Sequence, residues 1–234
     1  MQKATTQIVW LGHGTFQLTL PDGETIVIDP WIEGNPTYPA GYEITRCDTI
    51  LVTHGHFDHV QDVPTLSKKF SPRVVANYEV GNWLERRGVT NVTGMNKGGT
   101  FQAGSVAVTM THAIHSSGMT QEDGSVAYGG EPAGYAIRFP DGRSVYFAGD
   151  TNVFMDMQLI AELYEPELAF LPIGDLYTMG PREAAVACRL LGAKTVIPMH
   201  WGTFPPLTGR PADLQKLASS THVWELVPGK PVEW

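Results

Sequence analysis

The segment Thr53-His54-Gly55-His56-Phe57-Asp58-His59 crowds three imidazoles and a carboxylate together just after the apolar run Ile50-Leu51-Val52. Imidazole and carboxylate suit first-row divalent ions, and the segment holds no thiolate. Alternate positions of an extended chain project the same way, so His54 and His56 can grip one ion together. Asp58 and His59 fall where the chain turns and can aim at a second ion beside the first. The competing reading is a polar loop with exposed histidines. So many donors at one strand end favour the metal.

Other apolar runs end the same way. Thr111-His112-Ala113-Ile114-His115-Ser116-Ser117 closes one. His112 and His115 lie three apart, face opposite sides of an extended chain, and so supply one ligand between them. Gly149-Asp150-Thr151 closes a second run, and His200-Trp201 follows Thr195-Val196-Ile197-Pro198-Met199. Asp29, which ends Thr25-Ile26-Val27-Ile28, is a candidate to orient a metal-bound imidazole from behind. His13, between two glycines, reads equally well as a turn residue or as a pocket-lining one.

These donors need elements to position them. Residues 7–10, 15–20 and 25–29 alternate and punctuate as a three-stranded meander. A Gly/Pro/Tyr-rich loop over 33–42 precedes the strand that delivers the histidine cluster. A short helix over 63–69, a strand at 74–76 and a helix over 78–87 follow, the last with Val80, Trp83 and Leu84 facing inward. Strands resume at 101–102 and 106–110. Residues 118–134 carry many glycines and read as the longest structureless stretch, suited to a lid or substrate loop. A hairpin over 135–139 and 144–148 leads to Asp150, then a helix over 153–164. A buried strand at 168–172 precedes Gly174-Asp175-Leu176-Tyr177. The chain then reads as a helix over 181–191, a strand at 195–199, a helix over 211–219 and a strand at 223–227. No repeat or linker divides it, so one domain over 1–234 is expected. Open sheets of α/β proteins gather their chemistry at one edge, where His54, His56, Asp58, His59, His115, Asp150 and His200 can converge. That is more than one tetrahedral ion needs, whereas two ions sharing a bridging aspartate account for all of them.

Composition narrows the setting. With 234 residues and 42% hydrophobic content the chain can bury a real core. Its net charge of −8 gives no basic field and disfavours nucleic acid as an obligatory partner. The two cysteines, Cys47 and Cys188, lack metal-type or redox-type spacing and read as small apolar filler. No signal-peptide pattern opens the sequence and no apolar run approaches ~20 residues, so a cytoplasmic address off the membrane is expected.

The succession His54–His59, His115, Asp150 and His200 resembles the metal motifs of the metallo-β-lactamase superfamily. The likeness extends to Leu11-Gly12-His13, Ile28-Asp29-Pro30, Gly94-Met95-Asn96, His115-Ser116-Ser117, Ala148-Gly149-Asp150-Thr151, Pro172-Ile173-Gly174, Thr178-Met179-Gly180-Pro181 and Ile197-Pro198-Met199-His200. These resemble a branch of uncharacterised metal-dependent hydrolases allied to the ascorbate-6-phosphate lactonases. The resemblance implies an α/β fold, a four-layer αββα sandwich of two sheets with helices outside. It selects His115 over His112 as ligand. It implies that His54, His56 and His115 hold one ion, Asp58, His59 and His200 a second, and that Asp150 bridges them. Zinc is the ion such proteins most often bind, with manganese, nickel and iron as alternatives.

The implied chemistry is metal-assisted hydrolysis of a small molecule by a hydroxide bridged between the ions. Asp58 can also orient that hydroxide, and Tyr177, Asp175 and His112 are candidates to protonate the leaving group. An ester or lactone, phosphorylated or not, is the first expectation. A phosphodiesterase acting on cyclic nucleotides or short RNA with the same ions is the alternative. A metal-bound sensing module without turnover is the reading from outside enzymology. Relatives also leave a homo-oligomer open.

Overall fold

The computed structural model describes residues 5–234. In chain order, the meander is β1 (Gln7–Trp10), β2 (Phe16–Thr19) and β3 (Thr25–Ile28), followed by β4 (Thr49–Leu51), α1 (Phe57–Val60), α2 (Val63–Phe70), β5 (Arg73–Asn77), α3 (Tyr78–Glu85) and β6 (Val92–Met95). Then come β7 (Thr100–Ala103), β8 (Val106–His112), β9 (Gly118–Thr120), β10 (Val126–Tyr128), β11 (Ala133–Arg138), β12 (Ser144–Phe147), α4 (Met157–Tyr164) and β13 (Leu168–Pro172). The chain ends with α5 (Pro181–Leu191), β14 (Thr195–Met199), α6 (Pro211–Leu217), β15 (His222–Val223) and β16 (Val232–Glu233). Among the described residues no helix is long and apolar enough to cross a membrane.

The chain forms two compact units. The first comprises Met1–Asn96, Ser116–Pro132 and Val227–Trp234, of which the structure describes residue 5 onward. Its seven-stranded sheet runs β16-β1-β2-β3-β4-β5-β6, antiparallel through the meander and parallel from β3 to β6. Parallel strands covered on both faces read as unbroken apolar runs, which is how Ile26–Ile28 and Ile50–Leu51 are written. The helices cover the sheet with Val63 and Leu66 of α2 and Val80 and Leu84 of α3, which join Val27, Ile50 and Val74 in one core. Trp83 is only partly buried, with the Arg87 guanidinium 3.7 Å from its ring centroid. It still packs against that core, and Gly81 is buried beside it.

The second unit comprises Lys97–His115 and Ala133–Leu226. Its sheet runs β15-β14-β13-β12-β11-β8-β7, parallel from β15 to β12 and antiparallel from there to β7. The central strand β13 is buried at every position. Helix α5 starts on Pro181, whose ring fits a first turn, and stops at Gly192 with φ +62.

Three sequence expectations change. Residues 118–134 are not structureless: β9 and β10 pair as a hairpin, with Met119 opposite Ala127. Its turn closes through Gln121 N donating to Ser125 O at 2.8 Å. The Gly-rich composition had hidden two short strands. Helix α4 begins at Met157 rather than 153, because the Asn152 side chain accepts from Val153 N and holds that stretch in turns. The last strand of the second unit is only His222–Val223.

Candidate metal centre

In the first unit, parallel pairing of β3 with β4 sets Ile28 beside Leu51, and so brings Asp29 alongside Thr53. Asp29 is fully buried and left-handed at φ +47. Its Oδ1 accepts from Thr53 N at 2.7 Å and its Oδ2 accepts from Thr53 Oγ1 at 2.7 Å. Thr53 Oγ1 also lies 3.0 Å from His54 Nδ1. A hydroxyl has one hydrogen, and here Asp29 takes it. His54 Nδ1–H therefore donates to Thr53, and His54 Nε2 carries a lone pair. His59 Nδ1 lies 2.8 Å from Asp29 Oδ2, so the same logic leaves His59 Nε2 as its lone-pair nitrogen. One buried carboxylate thus sets two imidazole tautomers. Burial pushes the Asp29 carboxyl up, against the opposing pull of His59 and Thr53.

His54 Nε2 faces His56 Nδ1 at 2.9 Å, and His56 Nε2 lies 3.2 Å from Ser116 Oγ. Asp58 and His59 stand on α1, which turns them away from the extended segment. Asp58 Oδ2 is 3.9 Å from His59 Nε2 and 3.0 Å from His13 Nε2. One donor atom each of His13, Asp58 and His59 lie within 4.8 Å of one another, as do those of Asp29, His54 and His59. The turn is held from β9's side. Ser117 Oγ accepts from Gly55 N at 3.0 Å and donates to Gly129 O at 2.9 Å. A Cβ at Gly55 would collide with Met119 Cγ, so the close approach favours glycine.

In the second unit, β12 and β14 flank β13 in parallel, so Asp150 and His200 leave at the same sheet edge. Asp150 Oδ2 lies 2.9 Å from His200 Nε2 and 3.6 Å from His115 Nε2. Asp150 and His200 are buried; His115 is half-buried. The His115 turn is tied to the Asp150 turn by Ile114 N donating to Thr151 Oγ1 and Asn152 N donating to Ile114 O, both at 2.9 Å. His200 is left-handed at φ +55.

The structure thus groups His54, His56, Asp58 and His59 within one unit and His115, Asp150 and His200 within the other. The three leaving-group candidates differ. His112 Nδ1 lies 3.1 Å from Lys97 Nζ, and its ring meets Phe154 edge-on at 5.2 Å. Asp175 is left-handed and its Oδ1 accepts from Leu176 N, so that carboxylate shapes its own turn. Tyr177 is 54% exposed. Sequence reasoning missed Thr53 altogether, and left His13 undecided. The signals for it were the glycines on either side and the place of Leu11-Gly12-His13 among the family-like motifs.

The donors fit divalent metal. All are imidazole or carboxylate, and the orienting contact Asp29–His59 is the carboxylate–imidazole pairing that accompanies metal-bound histidine. Both cysteines are buried and outside the cluster, Cys47 Sγ meeting Thr49 O and Cys188 lying within α5.

A family model described as a β-lactamase superfamily domain matches residues 24–201. A UPF0173 metal-dependent hydrolase of Solibacter usitatus is 61% identical over 230 residues, covering 97% of this chain and all of that protein. One from Koribacter versatilis is 51% identical over 225 residues, covering 96% of each. Among solved structures, Igni18, a metallo hydrolase of the archaeon Ignicoccus hospitalis, is similar with TM-score 0.85 and 33% identity, covering 98% of both chains. These neighbours share the mixed α/β metallo-β-lactamase fold expected from the sequence.

Proposed function

The chain belongs to the UPF0173 metal-dependent hydrolases of the metallo-β-lactamase superfamily, and from that premise we propose that it opens ester or lactone bonds at a centre of two divalent ions. His54, His56 and His115 would hold one ion, Asp58, His59 and His200 the other, with Asp150 shared. Zinc is our first choice because the superfamily resemblance favours it; manganese, nickel or iron would suit the same nitrogen and oxygen donors. We read residues 1–234 as one domain acting on a small molecule, phosphorylated lactones included, in the cytoplasm.

When bound, such ions supply Lewis acidity, which lowers the pKa of water from ~16 toward neutrality and stabilises charge on the substrate oxygen. The chain's own groups do the rest. Asp29, directly and through Thr53, keeps His54 and His59 in the tautomers that present Nε2. Asp58 accepts the proton released as the water oxygen attacks the carbonyl carbon. Tyr177 then donates a proton to the departing oxygen. In its favour, its hydroxyl makes no hydrogen bond among the described residues, whereas Asp175 and His112 are engaged.

One observation carries the dinuclear reading. Asp150 Oδ2 lies 2.9 Å from His200 Nε2 and 3.6 Å from His115 Nε2, within reach of imidazoles assigned here to different ions, which supports its being shared. The test is the purified protein, with metal content measured, offered lactones, aryl esters, thioesters, β-lactams, cyclic nucleotides and bis-p-nitrophenyl phosphate. Turnover of lactone or ester with two ions per chain is expected. Hydrolysis of the phosphodiesters alone would replace this reading with a phosphodiesterase, and full metal with no turnover would favour a sensing module.

A further inference from the structure

We propose that His13 is a positioning residue for the metal centre, acting through Asp58; the inference rests on the functional reading above. His13 stands outside the seven donors assigned to the two ions, and lies 45 residues from the carboxylate it meets. Its Nε2 stands 3.0 Å from Asp58 Oδ2. An ionised carboxylate only accepts, so the hydrogen comes from His13 Nε2, which fixes the tautomer. Asp58 Oδ2 is thereby held in place, and the carboxylate's orientation toward His59 Nε2, 3.9 Å away, is set.

The surroundings are built to hold that ring. His13 is wholly buried, and its backbone is left-handed at φ +52, a conformation non-glycine residues rarely adopt. The turn that imposes it is closed by Thr15 N donating to Gly12 O at 3.0 Å and by Trp10 Nε1 donating to His13 O at 3.0 Å. The ring meets Trp31 edge-on, with centroids 5.2 Å apart, and His59 at 5.8 Å. Gly14 lets the turn close on the metal-facing ring, since a Cβ there would lie 3.0 Å from His59 Cε1. Asp29, also left-handed, orients His59; His13 does the equivalent for Asp58. Two left-handed residues, His13 in the β1–β2 turn and Asp29 just past β3, thus fix two successive donors of α1.

The test is zinc affinity, measured by competition with a chromophoric chelator on the full-length protein. His13→Ala should weaken one of two zinc equivalents by about ten- to hundredfold, the usual effect of losing a group that orients a ligand. His13→Gln, which keeps an N–H donor, should recover part of that loss. The deciding measurement repeats His13→Ala in an Asp58→Ala background, where it should change zinc affinity no further. Equal weakening in both backgrounds would show that His13 acts independently of Asp58 and would overturn the proposal, as would unchanged affinity in the single variant. Should His13→Ala fail to fold, His13→Asn, which tolerates the left-handed turn but lacks the reach, takes its place in the cycle. A wild-type chain that takes up no zinc would sink the functional reading itself, an outcome separate from either of these.

Discussion

Asp29 Oδ2 and His59 Nδ1 lie 2.8 Å apart with neither side chain reachable by solvent. Without competing water, the carboxylate dictates which imidazole nitrogen is protonated, and therefore which is offered to an ion. Asp29→Ala should lower zinc affinity about ten- to hundredfold. It should also destabilise the fold by about 1–3 kcal/mol for each buried donor left without an acceptor, Thr53 N and His59 Nδ1 among them. Chelator competition and urea unfolding check both. Full zinc affinity in the variant would refute the orienting role.

His56→Ala and Asp150→Ala should each reduce hydrolysis to background and lose bound metal while the far-ultraviolet circular dichroism stays native. Stripping the wild type with a chelator should do the same reversibly, with activity returning on addition of zinc or manganese. Either variant retaining full metal content and rate would remove that residue from the ligand set.

Gly55 allows the histidine segment to lie against β9. Gly55→Ala drives its methyl into Met119 Cγ, and the overpacking should cost about 1–3 kcal/mol in unfolding experiments. Met119→Ala in the same chain should relieve part of that cost, so the double variant should lose less than the sum of the singles. Strict additivity would mean the two side chains do not compete for this space.

Asp62 provides a pH signature away from the donors. Its Oδ2 accepts from Ile32 N at 2.6 Å and Glu33 N at 3.1 Å, yet burial outweighs both and raises its carboxyl above the ordinary 3.8. The folded chain therefore holds this proton to higher pH than the unfolded chain. Stability falls as pH rises through the interval between the two values, because the folded state binds more protons there. Urea midpoints measured from about pH 4 upward should show wild type losing ground to Asp62→Asn across that interval and running parallel to it above. A difference that is flat with pH would mean Asp62 does not titrate in this way.

Much of the candidate site was legible from residue type alone. His54, His56, Asp58, His59, His115, Asp150 and His200 stand out because ionisable donors are rarely clustered just past apolar strands, and those strands announce themselves by composition. The hairpin of β9 and β10 was not legible, since three-residue strands among glycines carry too little periodicity to register. Nor was the delayed start of α4, where one asparagine side chain outcompetes the helical pattern.

From sequence by itself came the metal-dependent hydrolase class and a candidate set of donors, because metal preference follows from the atoms a side chain offers. Tertiary structure alone decided which nitrogen His54 and His59 present and what meets the Asp58 carboxylate. Those depend on Thr53 meeting Asp29 across 24 residues and His13 meeting Asp58 across 45. Such pairs are created by the register of β3 on β4 and the closure of the β1–β2 turn, neither of which leaves a local mark in the chain.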